Sequence, residues 1–240
     1  MYSTAPQIGF DRLVQLDWAA AAIKVRAGKL SLEALGELLD GAGLGKEATA
    51  KTRTKLNALF LEPHQSLADF AEQGIQLCKK GDNHSVAVVS WGMAIVSYPF
   101  FGKVAEFTGR LTSIQGDCSS LEIHRRMSEV FGDREVTKRA TQAVLQTQAN
   151  WGAIGRVEKG KRLVRLAPMA LPSEKIVAWL VEAAVRYAGK ALPVSTLKSH
   201  PVLYPFELGQ SLSYVISNSP ALDLRSEGSG NQFVALHAFK

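Results

Sequence analysis

A chain of 240 residues, with 46% apolar side chains and no segment dominated by one residue type, can bury a large core. It fits one broad domain or, more comfortably, two or three small ones, and excludes the disordered and fibrous classes. The formal charge is +6 and the pI about 9.3, which excludes little alone and makes the placement of the charge the informative quantity.

In chain order, Asp11 to Gly28 reads as a helix, with Leu13, Leu16, Ala20 and Ile23 at helical spacing and Gly28 as its stop. Ser31 caps a short second helix whose inner face is Ala34, Leu35, Leu38 and Leu39. After a Gly41–Gly45 loop, Thr49 to Leu61 is expected to be helical, with Lys51, Arg53 and Lys55 outside and Pro63 beyond its end. Ser66 opens a further helix toward Cys78. Val86 to Phe101 carries no charge over sixteen residues, but it is short for a membrane span and holds Gly92 and Pro99. A buried helix of a soluble domain explains it at least as well. With a helix around Phe101–Leu111, residues 1–111 read as an N-terminal helical bundle with nearly balanced charge.

Residues 112–170 are the informative stretch. A linker, Thr112–Ser119, leads to a helix capped by Ser119 or Ser120 through Glu122, with Leu121, Ile123, Met127 and Val130 expected inward. Phe131-Gly132-Asp133 makes a turn, and a second helix runs from about Arg134 to Asn150. Its apolar face is Val136, Ala140, Ala143, Val144, Thr147 and Trp151. Ile154 then starts a strand, Glu158–Lys161 makes a tight turn, and Leu163, Val164 and Leu166 return. Helix, short turn, helix and hairpin is the order of a winged helix-turn-helix, in which the first helix braces the second for a major groove.

The charge supports that reading. Between Gly132 and Arg165 stand eight Lys or Arg against three acids, a surplus of five in thirty-four residues. The polar face of the second helix offers Lys138, Arg139, Gln142 and Gln146, long enough to reach base edges or phosphate. Arg134 and Thr137 sit at its N-terminus, where free N–H groups favour an anion. Glu135 at the same end counts against DNA. The wing brings Arg156, Lys159, Lys161 and Arg162 to a phosphate backbone or minor groove. These ten residues are the candidate DNA-binding set.

Residues 171–240 repeat the theme. Pro172 and Ser173 open a helix through Val185, a short helix is expected at Ser195–Ser199, and Phe206–Ile216 reads as another. Ala221–Arg225 and Gln232–His237 alternate as strands. This is a second, degenerate winged-helix-like unit, formally neutral over 193–240, suited to packing on the first or to a partner.

No enzyme is expected. There is no GxxxxGK[ST] loop, HExxH or paired CxxC, and the carboxylates are scattered. Cys78 and Cys118 are isolated, no cofactor or metal is implied, and the chain's start has no secretory pattern, so a cytoplasmic location is the default. The fold class is therefore mainly α with small β hairpins: a bundle followed by two winged units in tandem.

Several short motifs resemble the BrxA-like accessory proteins of BREX phage-defence systems. They are Trp18-Ala19-Ala20-Ala21, Lys51-Thr52-Arg53-Thr54-Lys55-Leu56, Trp91 ahead of Tyr98-Pro99-Phe100-Phe101, and Val136-Thr137-Lys138-Arg139 through Trp151-Gly152-Ala153-Ile154. Coverage is roughly residues 10–167. The resemblance implies sequence-tolerant binding of double-stranded DNA within a defence island, with other subunits of a defence complex as possible partners, no membrane and no catalytic residue. A protein-interaction scaffold or a transcriptional regulator built on the same domains is the alternative.

Overall fold

The computed structural model describes residues 7–78, 82–158, 161–209, 211–228 and 230–237. The N-terminal part is helical: α1 (Leu16–Arg26), α2 (Leu32–Asp40), α3 (Lys46–Leu56), α4 (Ala68–Leu77), α5 (Asn83–Ser97) and α6 (Pro99–Gln115). Ser31 caps α2 by accepting from the Ala34 N–H at 3.1 Å. A single π-helical turn, Asn57–Leu61, continues α3 and delivers Leu59 and Phe60 to the core. Tyr98 ends α5 and Pro99 starts α6, where a missing N–H costs nothing. The two helices meet at 115°, and among the described residues no single helix is long and apolar enough to cross a membrane.

The first helix is shorter than expected. Residues 10–15 lie outside the helix because tertiary partners take backbone groups there. The Val14 N–H donates to Thr147 Oγ1 at 3.1 Å, the Leu16 N–H to Asn150 Oδ1 at 2.7 Å, and Trp151 Nε1 to the Val14 carbonyl at 2.9 Å. This segment is a strap laid along a helix more than 130 residues away in sequence.

The expected linker at 112–119 is also ordered. Helix α6 runs to Gln115, Gly116 turns the chain at φ +82°, and β1 (Asp117–Ser119) follows. Next come α7 (Ser120–Phe131), α8 (Glu135–Asn150), β2 (Ile154–Val157) and β3 (Arg162–Arg165). Ser119 and Glu122 form a capping box at the start of α7, which holds the Glu122 carboxyl below its usual range. Strand β3 lies between β1 and β2, antiparallel to both, with Cys118 opposite Leu163 and Val157 opposite Arg162. Leu121 and Val130 point out rather than in, and the inner face of α7 is Ile123, Met127 and Phe131.

After a short strand β4 (Met169–Ala170) come α9 (Glu174–Ala188), β5 (Leu192–Pro193), α10 (Val194–Leu197), β6 (Phe206–Glu207), α11 (Leu212–Ser217), β7 (Leu222–Glu227) and β8 (Asn231–Leu236). The expected helix over 206–216 is confined to α11. Phe206 and Leu208 are buried instead, the Met169 N–H donates to the Pro205 carbonyl at 2.7 Å, and β6 pairs in parallel with β4. Strand β8 lies between β5 and β7, as β3 lies between β1 and β2. Both stretches therefore run helix, strand, helix, helix, hairpin, with the same sheet order.

Buried side chains from all three stretches form one continuous cluster. Trp91 of α5 is its hub. Its ring meets Phe101 at 5.2 Å, Tyr204 at 5.5 Å, Phe206 at 5.8 Å and Trp151 at 6.4 Å, in edge-on geometries that favour aromatic pairs. Its Nε1 donates to the Val202 carbonyl at 2.9 Å. Trp179 of α9 stacks on Phe70 at 4.3 Å, donates to the Phe70 carbonyl, and lies over Gly74 and Gly92.

Candidate nucleic-acid interface

Helix α8 settles its orientation by burial. Ala140, Thr141, Val144, Leu145, Thr147 and Gln148 are inside, and the exposed remainder is a narrow stripe. Three of its four polar candidates, Lys138, Arg139 and Gln146, are exposed, and Gln142 is half-buried between them. Their spacing of three and four residues puts them on one face. Gln148 is a further long polar side chain on the helix but faces inward, where the Tyr204 hydroxyl donates to its Oε1 at 3.0 Å.

The N-terminus of α8 differs from expectation in two residues. Thr137 is fully buried, and its hydroxyl donates to the Gly132 carbonyl at 2.9 Å. It clamps the interhelical turn and has no surface to offer a phosphate. Val136 was expected inside and is 45% exposed, because it lies in the first turn and the buried arc begins at Thr137. Arg134 is the exposed residue preceding the helix, and its guanidinium donates to the Phe131 carbonyl at 2.9 Å.

The cations divide into committed and uncommitted groups. Arg162 binds Asp117 through two nitrogens and approaches Glu122 at 3.9 Å, so it ties β3 to β1 and to the start of α7. Arg139 pairs along the helix with Glu135 at 3.2 Å, both strongly exposed. That also removes the repulsion Glu135 would present. Arg165 is half-buried over the Tyr204 ring at 5.2 Å, and burial pulls its pKa down. Lys138, Arg156 and Lys161 are exposed and make no ion pair among the described residues. Lys159 lies outside the described residues. The Lys161 N–H donates to the Glu158 carbonyl at 3.2 Å.

A groove of about 700 Å³ opens on the α8 stripe. Lys138, Arg139, Gln142 and Gln146 line it, with Leu121 and His124 of α7 and Asp11, Arg12 and Leu13 of the strap. The α7 and strap residues were not legible as part of the site, since the strap reaches α8 only through tertiary hydrogen bonds. His124 Nε2 lies 3.4 Å from Ser128 Oγ, while the nearby Glu122 is occupied by Ser119, so the two form no acid–base pair. Among the described residues no group of His, Cys, Asp or Glu is placed to hold a metal ion. Burial pushes the Cys78 and Cys118 thiols up to about 12 and about 11, so both are protonated at neutral pH.

No protein-family model, curated protein or solved structure matches this chain.

Proposed function

We propose that this chain is a non-enzymatic double-stranded DNA-binding protein whose α8 enters the major groove and whose β2–β3 hairpin acts as a wing. The observation that carries the reading is the stripe Lys138, Arg139, Gln142 and Gln146 on an otherwise buried helix. Two features support it. The order of α6, β1, α7, α8, β2 and β3, with β3 central, is compatible with the order expected of a winged helix. The hairpin adds Arg156 and Lys161 as uncommitted cations.

The second unit repeats the topology without the chemistry. The exposed positions of α11 and its flanks are Ser211, Tyr214, Ser217 and Asn218, none charged. We assign that unit to packing against the bundle, where Trp179 and Tyr187 meet Gly92 and Gly102. A role as an accessory of phage defence rests on the resemblance to BrxA-like proteins, and a methyltransferase and a large ATPase encoded beside the gene would support it.

The test is fluorescence anisotropy on a random duplex at several salt concentrations, for the wild type and a triple variant, Lys138→Glu, Arg156→Glu and Lys161→Glu. Each phosphate contact contributes about 0.9 to the log–log salt slope. Losing three flattens the slope by about 2.7, so the loss of affinity between about 50 and 200 mM salt shrinks roughly forty-fold. Equal affinity of two folded proteins at low salt refutes the reading.

A further inference from the structure

The groove beside α8 has more apolar floor than a phosphate-gripping surface needs. Leu13, Leu121, Ala143 and Leu145 line it, and Leu121 is 74% exposed, a large apolar side chain with no core to face. Its two carboxylates are already matched, Asp11 by Lys55 at 3.1 Å and Glu135 by Arg139 at 3.2 Å. Two of its cations are not. Among the described residues Arg12 makes no direct ion pair: its Nη1 reaches only the Asp11 carbonyl, at 3.2 Å, and its Nε is buried with no hydrogen-bond partner. The acid that feels its charge, Glu47, is itself bound to Lys51. Lys138 is exposed and unpaired. The groove's uncompensated charge is therefore positive and stands over an apolar floor. Its volume, about 700 Å³, is that of a small-molecule site.

We propose that this groove binds a small organic anion, a carboxylate, phosphate ester or sulfonate on an apolar body, with the anionic head at Arg12 and Lys138 and the body on Leu13 and Leu121. The site does not depend on DNA binding. One consequence does rest on that reading: Lys138, Arg139, Gln142 and Gln146 would serve both ligands, so the anion releases the protein from DNA.

The full chain is titrated with 1-anilinonaphthalene-8-sulfonate, followed by its fluorescence at physiological ionic strength. One saturable site is expected. Arg12→Ala and Lys138→Ala should each weaken it at least about five-fold through the lost charge-assisted contact, and Leu121→Asp should abolish it. Circular dichroism confirms that the three variants are folded. Octanoate should displace the dye, and inorganic phosphate at the same concentration should not. Absent dye binding, or dye binding unchanged in all three variants, overturns the site; displacement by phosphate alone overturns the apolar body. Dye binding by a protein that ignores DNA refutes only the DNA reading, and DNA binding without a dye site refutes only this one.

Discussion

Replacing Gly92 with alanine tests how the C-terminal stretch is fastened to the bundle. In an open helix the change stabilises by about 1 kcal/mol, because alanine restricts the unfolded chain. Here the new methyl would stand 2.5 Å from Cη2 of Trp179 and closer still to Cζ3. Carbon atoms pack at about 3.5–4.0 Å, so the overlap is at least about 1 Å. The indole cannot swing aside, because it is stacked on Phe70 and its Nε1 donates to the Phe70 carbonyl. Overpacking costs about 1–3 kcal/mol, and an overlap of this size falls in the upper part of that range, about 2–3 kcal/mol, which outweighs the helix gain and leaves a net loss of about 1–2 kcal/mol. For a chain of this length that lowers Tm by roughly 2–8 °C. The assay is thermal and urea unfolding by circular dichroism, with Trp179→Leu and the double variant completing a cycle. Removing the ring removes the clash, so the double variant should be at least about 1 kcal/mol better than the sum of the singles. A single unfolding transition is expected, because the core is continuous. Gly92→Ala at or above wild-type stability, or strict additivity, refutes the packing argument.

Two further outcomes follow from committed charges. Arg162→Ala should lower Tm slightly while leaving the salt slope of DNA binding as in the wild type, since its guanidinium is spent on Asp117; a flattened slope would show that it contacts phosphate. Burial alone would raise the pKa of Glu106, but hydrogen bonds from Lys103 and Tyr187 and the charges of Lys103 and Arg110 hold it below the usual range. A depressed carboxyl contributes stability above its unfolded pKa of about 4.3 and loses it as pH falls through the folded value. The urea midpoint of Glu106→Gln should therefore lie below wild type at neutral pH and converge with it in acid, and a constant gap would refute this.

What could be seen in the sequence was local. The Ser119–Glu122 box, the α8 stripe and the strands at 222–227 and 231–236 are signalled by capping pairs, helical spacing and alternation. What could not be seen was made by distant partners. Strand β1 is three residues long and exists because β3 covers it. The segment at 206–207 has helical spacing yet extends, since Phe206 fills the space beside Trp91. Thr137 and Gln142 look alike on a helical wheel drawn from polarity, and only the turn carbonyl of Gly132 draws Thr137 inside. Arg162 looked like a wing cation because Asp117 lies forty-five residues earlier in the chain.

The strap also sets a schedule. Val14 leaves the ribosome long before Thr147, Asn150 and Trp151, the three residues that fix it, have been made. At about 5–20 residues per second the wait is roughly 7–27 s. During that interval α1 through α7 can form from local contacts, and Phe10 and Asp11 can already meet Tyr98, Phe101 and Lys55, while the Val14 backbone still waits for α8. One wall of the groove is thus completed only when α8 has been made. The groove beside α8 would close only after that helix has been synthesised and captured by the chain's own beginning.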